Sequence, residues 1–263
     1  MKSTKGRIAV ILIAFICLFA NVSNRERAAW ACPACGRKGN TGKYCGNCAH
    51  PAPEAAPAYA VGDIITFGHY EQDNNLDNGS EAIEWIVLDY DTEEKKVLLL
   101  SRYGLDAKRY HEHFANIIKW EECTLRNWLN EEFLTTAFTA DEQEKILKTN
   151  VDNSRSQGYS GWYTDGGNDT EDQIFLLSYR EVFEEYFKNN KSRTCQPTAY
   201  AIAQGSYIDY SSGNWRWLLR SPGDYPNRIA AVDIDGSRSD ASIYNEFECV
   251  RPALWLNLDT GIL

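Results

Sequence analysis

Apolar residues gather in runs rich in β-branched and aromatic side chains at GDIITFGHY (62–70), EAIEWIVLDYD (81–91) and KKVLLLSRY (95–103). These β-branched and aromatic runs are separated by NNLDNGS and DTEEK, which predicts two or three antiparallel strands joined as a meander. After Trp120 the period changes to 3.6. Leu125, Trp128, Leu129 and Phe133 fall on one helical face, Thr139-x-x-Glu142 reads as a capping box opening a second helix through Leu147, and Ser178-x-x-Glu181 reads as a third cap in front of VFEEYF. The last third returns to strands in WRWLLRS, RIAAVDIDG and CVRPALWLNL, with Ser221-Pro222-Gly223 and Asp235-Gly236 as turns. The pattern predicts an α+β domain of antiparallel sheets with two or three helices over 61–263. Its expected core includes Trp85, Trp128, Trp217, Val250 and Trp255, and Arg251 requires a carboxylate, carbonyl or indole partner within the domain.

Upstream the pattern is different. Residues 1–20 place Lys2, Lys5 and Arg7 before the apolar run IAVILIAFICLFA, too short for a spanning helix and of the right length for a signal peptide. Cleavage is expected after Ala20 or at the small-x-small site Ala29-Trp30-Ala31, which makes the protein secreted or envelope-associated. The membrane is a partner only if the leader is retained. A linker (21–31) leads to CPACGRKGNTGKYCGNC (32–48), and a Pro/Ala-rich linker (49–60) follows as a semi-extended spacer.

Cys32-x-x-Cys35 and Cys45-x-x-Cys48 form a zinc-ribbon-like knuckle. Two residues between thiolates let one tight turn aim both sulfurs at a single ion, and two such turns complete a tetrahedron around a structural Zn²⁺. Two disulfides are the alternative that an oxidising compartment favours. The second half departs from the commonest knuckle pattern by ending Cys48-Ala49-His50, without a Gly after the last Cys. Cys195 and Cys249 are compatible with a disulfide that sequence does not settle, and Cys123 is expected to be a buried thiol.

Charge narrows the partners. The 263 residues carry a formal charge of −10, and loss of Lys2, Lys5 and Arg7 with a leader makes the mature chain more acidic still. No Lys/Arg-rich stretch offers a face to phosphates, so nucleic acid is excluded as an expected partner.

The segments EAIEWIVLD, TLRNWLN, IFLLSYREV, WRWLLRSPG (215–223) and VRPALWLNL (250–258) resemble a bacterial family known as domain of unknown function 6273, over roughly 61–263. Members of that family are similar in carrying a leader or a zinc ribbon upstream, and the resemblance brings no activity with it. A more distant similarity is to the C-type-lectin-like fold of formylglycine-generating enzymes, although the closely spaced cysteine pair of that oxidase is missing here.

The long polar segment 151–173, VDNSRSQGYSGWYTDGGNDTEDQ, is the expected ligand face. Tyr159, Trp162 and Tyr163 suit sugar or protein surfaces, while Asp165, Asn168, Asp169 and Asp172 add oxygen ligands of the kind that hold Ca²⁺, although their irregular spacing does not match an EF-hand loop. The competing reading is that Trp162 folds back and pins the loop. A nucleophile elbow, a His-Glu-x-x-His helix and a phosphate loop are all missing from the sequence. The expected function is therefore a binding module for an extracellular glycan or protein, the alternative being an extracellular enzyme such as a carboxylate-dependent hydrolase.

Overall fold

The computed structural model describes residues 31–41, 43–50, 59–113 and 115–258. The predicted leader, residues 21–30 and residues 51–58 of the spacer lie outside them. The chain divides into two compact units, Ala56–Thr260 and a smaller one formed by Met1–Ala55 with Gly261–Leu263.

The larger unit is α+β. The predicted meander is present as β1 (Ile64–Tyr70), β2 (Glu81–Asp91) and β3 (Lys96–Ser101). After β4 (Asp106–Ala107) the chain turns helical, with α1 (Thr124–Trp128), a π-type turn (Leu129–Phe133), α2 (Leu134–Ala137) and α3 (Ala140–Gln143). The hairpin β5 (Thr149–Val151) and β6 (Thr170–Asp172) precedes a second π-type turn (Glu181–Tyr186) and the short helices α4 (Asn190–Arg193) and α5 (Ala199–Ala203). Strands β7 (Trp217–Pro222), β8 (Arg228–Val232), β9 (Arg238–Ser242), β10 (Cys249–Val250) and β11 (Ala253–Asn257) close the domain. One sheet runs β1-β2-β3-β11 and a second β4-β10-β7-β8-β9.

Local chemistry explains several of these elements. Both predicted caps form: Thr139 Oγ1 accepts from the Glu142 amide while Glu142 accepts from the Thr139 amide, and Ser178 and Glu181 exchange the same pair of bonds. Strand β1 changes register between Thr66 and His69. Gly68 sits there at φ +69°, where an added Cβ would lie 2.4 Å from the Phe138 ring, so no other residue fits without displacing the helical layer.

The two sheets meet at Arg251-Pro252, where the chain leaves β10 and enters β11. Arg251 is 1% exposed. Its guanidinium stacks 4.8 Å from the Trp217 ring centre and donates from Nε to the Ser101 carbonyl at 2.8 Å. The partner demanded by burial is thus an indole plus a carbonyl, and one side chain ties the ends of β3, β7 and β10 together. Pro252 supplies the Ser101 amide with its acceptor at 2.9 Å.

Some expectations need correction. The long polar segment is bracketed by a hairpin, with β5 and β6 paired from Thr149↔Asp172 to Val151↔Thr170, so the open loop is shorter than the composition suggested. Strand β9 was missed because RSDAS has no apolar alternation, which is common at a sheet edge facing water. Trp85 and Trp217 are fully buried, as is Val250, but Trp128 and Trp255 are only half-buried. Their open faces are covered by lysine, Lys108 lying 4.6 Å from the Trp128 centroid and Lys96 4.8 Å from that of Trp255.

Candidate functional sites: a cysteine knuckle and an aromatic pocket

The knuckle is built from two near-identical turns. In the first, Gly36 N–H donates to the Cys32 carbonyl at 2.8 Å and Cys32 N–H to the Arg37 carbonyl at 2.8 Å; in the second, Ala49 N–H donates to Cys45 at 2.9 Å and Cys45 N–H to His50 at 2.7 Å. Gly36 has φ +73° and Ala49 φ +55°. The residue after the last Cys therefore adopts the left-handed conformation that glycine would take freely, and Ala49 carries a strain of about 1–2 kcal/mol for it. The four sulfur atoms lie within 4.8 Å of one another, with Cys32–Cys48 and Cys35–Cys45 at 3.5 Å. That is far beyond a covalent sulfur–sulfur bond of about 2.05 Å and close to the separation of about 3.8 Å that tetrahedral metal–sulfur bonds of about 2.3 Å impose. The four cysteines can hold a metal ion.

On the predicted ligand face Tyr159 and Trp162 are half-buried, while Tyr163, Asp165, Asn168 and Asp169 are exposed. Tyr159 and Trp162 pack edge to face at 5.5 Å, both lean on buried Tyr179 at 5.3 and 6.1 Å, and the Arg238 guanidinium lies 3.7 Å from the Tyr159 centroid. Tyr163 alone of the three is open, at 83% exposure. Asp165 pairs with Lys119 at 2.9 Å, which with the Gly167 amide holds its carboxyl below the usual range. Asn168 donates to Glu121 at 2.8 Å, and Asp169 accepts from the Asn153 amide at 3.0 Å. The six candidates thus share one loop, but most of their polar capacity is spent within it.

A different place collects unspent capacity. Asp209 accepts from the hydroxyls of Ser211 and Ser212 at 2.7 and 2.6 Å, and its amide donates to Asn214 at 2.9 Å, closing the loop that carries Tyr207 and Trp215. Tyr207 stacks on Phe247 at 4.4 Å and meets Trp215 edge-on at 5.4 Å. These rings wall a pocket of about 320 Å³ that Arg216, Asp233, Asn245 and Glu248 also line. Glu248 pairs with Arg216 and accepts from Asn245 Nδ2 at 3.0 Å, while burial still pushes its carboxyl above the usual range. Beneath this wall, Trp215 Nε1, Arg216 Nε and Glu248 Oε2 are buried and have no hydrogen-bond partner among the described residues. On the other side of Phe247 is a second hollow of about 290 Å³ lined by Arg109, Glu112 and Glu246, and Arg109 Nε is likewise unpartnered. Four of the seven such atoms thus fall on two hollows that share one ring.

The aromatic pocket lies within a recognisable family domain. A family model described as Domain of unknown function (DUF6273) matches residues 94–258. The chain belongs to that family. The DUF6273 match runs from the β2–β3 turn through β11 and contains the aromatic pocket but neither β1 nor the knuckle. No curated protein and no solved structure matches the chain.

The remaining features of the DUF6273 unit look structural. A further hollow, about 410 Å³, is lined by Gln72, Glu84 and Tyr103 among others, but Gln72 donates to the Ala82 carbonyl at 3.1 Å and Glu84 accepts from Arg102 at 2.8 Å. Nearby Glu71, Asp73 and Glu81 bring three carboxylates together, and the amides of Gln72 and Asn75 donate into them. Arg220 is held by both oxygens of Glu181, at 2.6 and 3.0 Å. Cys123, Cys195 and Cys249 are free and buried, and burial pushes the Cys123 thiol up to about 12, so none of them is an available nucleophile.

The residues that sequence reasoning passed over are Tyr207, Arg216, Phe247 and Glu248. A signal existed for one of them: Glu248 is a charge directly before the strand residues Cys249–Val250, and a fully buried carboxylate requires an explanation.

Proposed function

We propose that the protein is an exported binding module in which a zinc knuckle precedes a ligand-binding DUF6273 domain. The observation that carries the reading is the concentration of unpartnered buried polar atoms beneath an aromatic wall. Native proteins pair such atoms, and because these are closed off from solvent, a ligand would satisfy them through bridging water or a shift of the overlying side chains. The ligand is an extracellular glycan or protein, in keeping with the leader-like N-terminus and the acidic charge. Capture by the full mature chain on glycan and secreted-protein arrays tests this, with Tyr207→Ala as the control; equal retention by the variant argues against the pocket.

A second reading, a carboxylate-dependent hydrolase, draws on Glu248 and Asp233 lining the same pocket. The Glu248 side chain is 0% exposed and committed to Arg216, so it is poorly placed to reach a scissile bond. Release of product from any bound glycan would reverse that preference.

For the knuckle, Zn²⁺ is the proposed ion, since four thiolates at tetrahedral separation suit it and leave no open position for catalysis. Cys45→Ser should lower bound zinc from one equivalent to near zero, measured by elemental analysis of the purified mature chain. The melting transition of the DUF6273 unit should hardly move. A metal-free wild type with no free thiols would favour disulfides.

A further inference from the structure

The pocket also carries information about the kind of ligand it takes. Resting on the binding-module reading, we infer that it holds a neutral, hydroxyl-rich pyranose residue of an oligosaccharide, stacked on the Tyr207–Phe247–Trp215 wall with Arg216, Asn245 and Asp233 as hydrogen-bonding partners.

Charge decides against the alternatives. Arg216 faces Asp233 and Glu248 in the first hollow, and Lys108 and Arg109 face Glu112 and Glu246 in the second. Three cations stand against four anions on a chain that is otherwise strongly acidic. A phosphate, sulfate or carboxylate ligand would meet carboxylates on both sides of Phe247, and a cation would meet a guanidinium in each hollow. A neutral ligand meets neither problem, and it uses donors and acceptors alike. A hydroxyl does both at once.

Shape decides for a ring. Tyr207 and Phe247 stack face to face at 4.4 Å with planes 13° apart, so their facing surfaces cover each other and leave no gap in which to cage an ammonium group, and the open ring surface is the exposed half of Tyr207. The apolar C–H face of a pyranose fits against that open ring surface, and its equatorial hydroxyls project sideways. The first hollow, about 320 Å³, is at the small end of ligand pockets and suits one ring. Phe247 borders both hollows, so a second residue has a place to continue, which points to an oligosaccharide rather than a free sugar. The buried Glu248 acts from below: by fixing one side of the Arg216 guanidinium it orients that group, whose side chain keeps 26% exposure, toward the pocket.

The test uses the mature full chain on an array holding neutral oligosaccharides, sialylated and sulfated glycans, and aminated glycans, with secreted proteins spotted beside them. Retention is expected on neutral hexose or N-acetylhexosamine chains, weakened about tenfold or more by Tyr207→Ala and by Arg216→Ala and unaffected by Tyr163→Ala. Should Arg216→Ala fail to fold, Tyr207→Ala, which removes a ring that is 51% exposed, decides alone. Saturation-transfer NMR with the methyl glycoside of the retained terminal sugar should place its C–H face against aromatic protons. Retention confined to charged glycans, or neutral-glycan binding indifferent to Tyr207→Ala, overturns the inference. Tyr207-dependent capture of a secreted protein with no glycan bound overturns it while leaving the binding module standing. Silence on both sets overturns both.

Discussion

Two Gly- and Ser-rich loops of this domain display aromatic rings, and they use them in opposite ways. In the 152–169 loop, Tyr159 and Trp162 lean on Tyr179 and are covered by Arg238, so the rings are packing and the loop's carboxylates are paired. In the 207–215 loop, Tyr207 and Trp215 stand beside a pocket under which an indole N–H, a guanidinium Nε and a carboxylate oxygen go unmatched. Aromatic content does not separate a contact face from a pinned loop; the polar atoms around the rings do. Beneath the 152–169 loop one buried atom, Arg220 Nε, has no partner, against three around the 207–215 pocket, and that excess is what points to a missing partner.

The sharpest break between the two loops should come from Glu248→Ala. Removing a carboxylate with no exposed surface leaves Arg216 without its buried partner, at a cost of about 2–3 kcal/mol, discounted from a fully buried pair because the arginine reaches water. Glycan retention should be lost together with stability. Thermal melting and array binding would report both, and a variant that binds normally would remove Glu248 from any part in orienting Arg216.

Trp162→Ala should cost about 2 kcal/mol, less than a fully buried indole because the ring is half-exposed. Binding should be unchanged wherever the domain is folded. Loss of binding at unchanged melting temperature would reverse the assignment and restore the 152–169 loop as the ligand face.

How much of this could be read from the chain differs by region. The meander was legible because its β-branched and aromatic runs are separated by turn-forming segments, and both capping boxes were legible because three-residue spacing is itself the mechanism. A four-cysteine knuckle that can hold a metal ion was legible from Cys spacing alone, and even its departure at Ala49 has a physical counterpart in that residue's positive φ. Strand β9 was not legible, since an edge strand of RSDAS owes its place to pairing with β8 and not to burial. Nor was the aromatic pocket. It assembles Tyr207, Trp215 and Phe247 through the loop closure at Asp209 and the parallel pairing of β10 with β7, and long-range pairing of that kind leaves no local period in the sequence.

The smallest effect, and the most specific to one loop, concerns acid. The Ser212 and Ser211 hydroxyls donate to Asp209 and hold its carboxyl down at about 2, against an ordinary value of 3.8. The folded loop therefore favours the ionised form. Its contribution is fully present above the ordinary carboxylate value and is lost as pH falls through about 2. Asp209 is half-buried in a turn open to water, so the effect on global stability should be slight while the effect on local order is not. Between pH 4 and pH 2 the amides of Ser212 and Gly213 should gain hydrogen-exchange rate relative to the intrinsic acid profile. An Asp209→Asn variant should show the looser loop already at pH 4 and little further change on acidification. The 152–169 loop offers the contrast, because the Asp165 carboxyl is held down mainly by the Lys119 ammonium and its protection should weaken with added salt, whereas the Asp209 turn, built on neutral hydroxyls, should not respond to salt. Equal salt sensitivity in both loops would mean that the Asp209 turn is not held by its serines, and with it would go the account of how Tyr207 and Trp215 are presented.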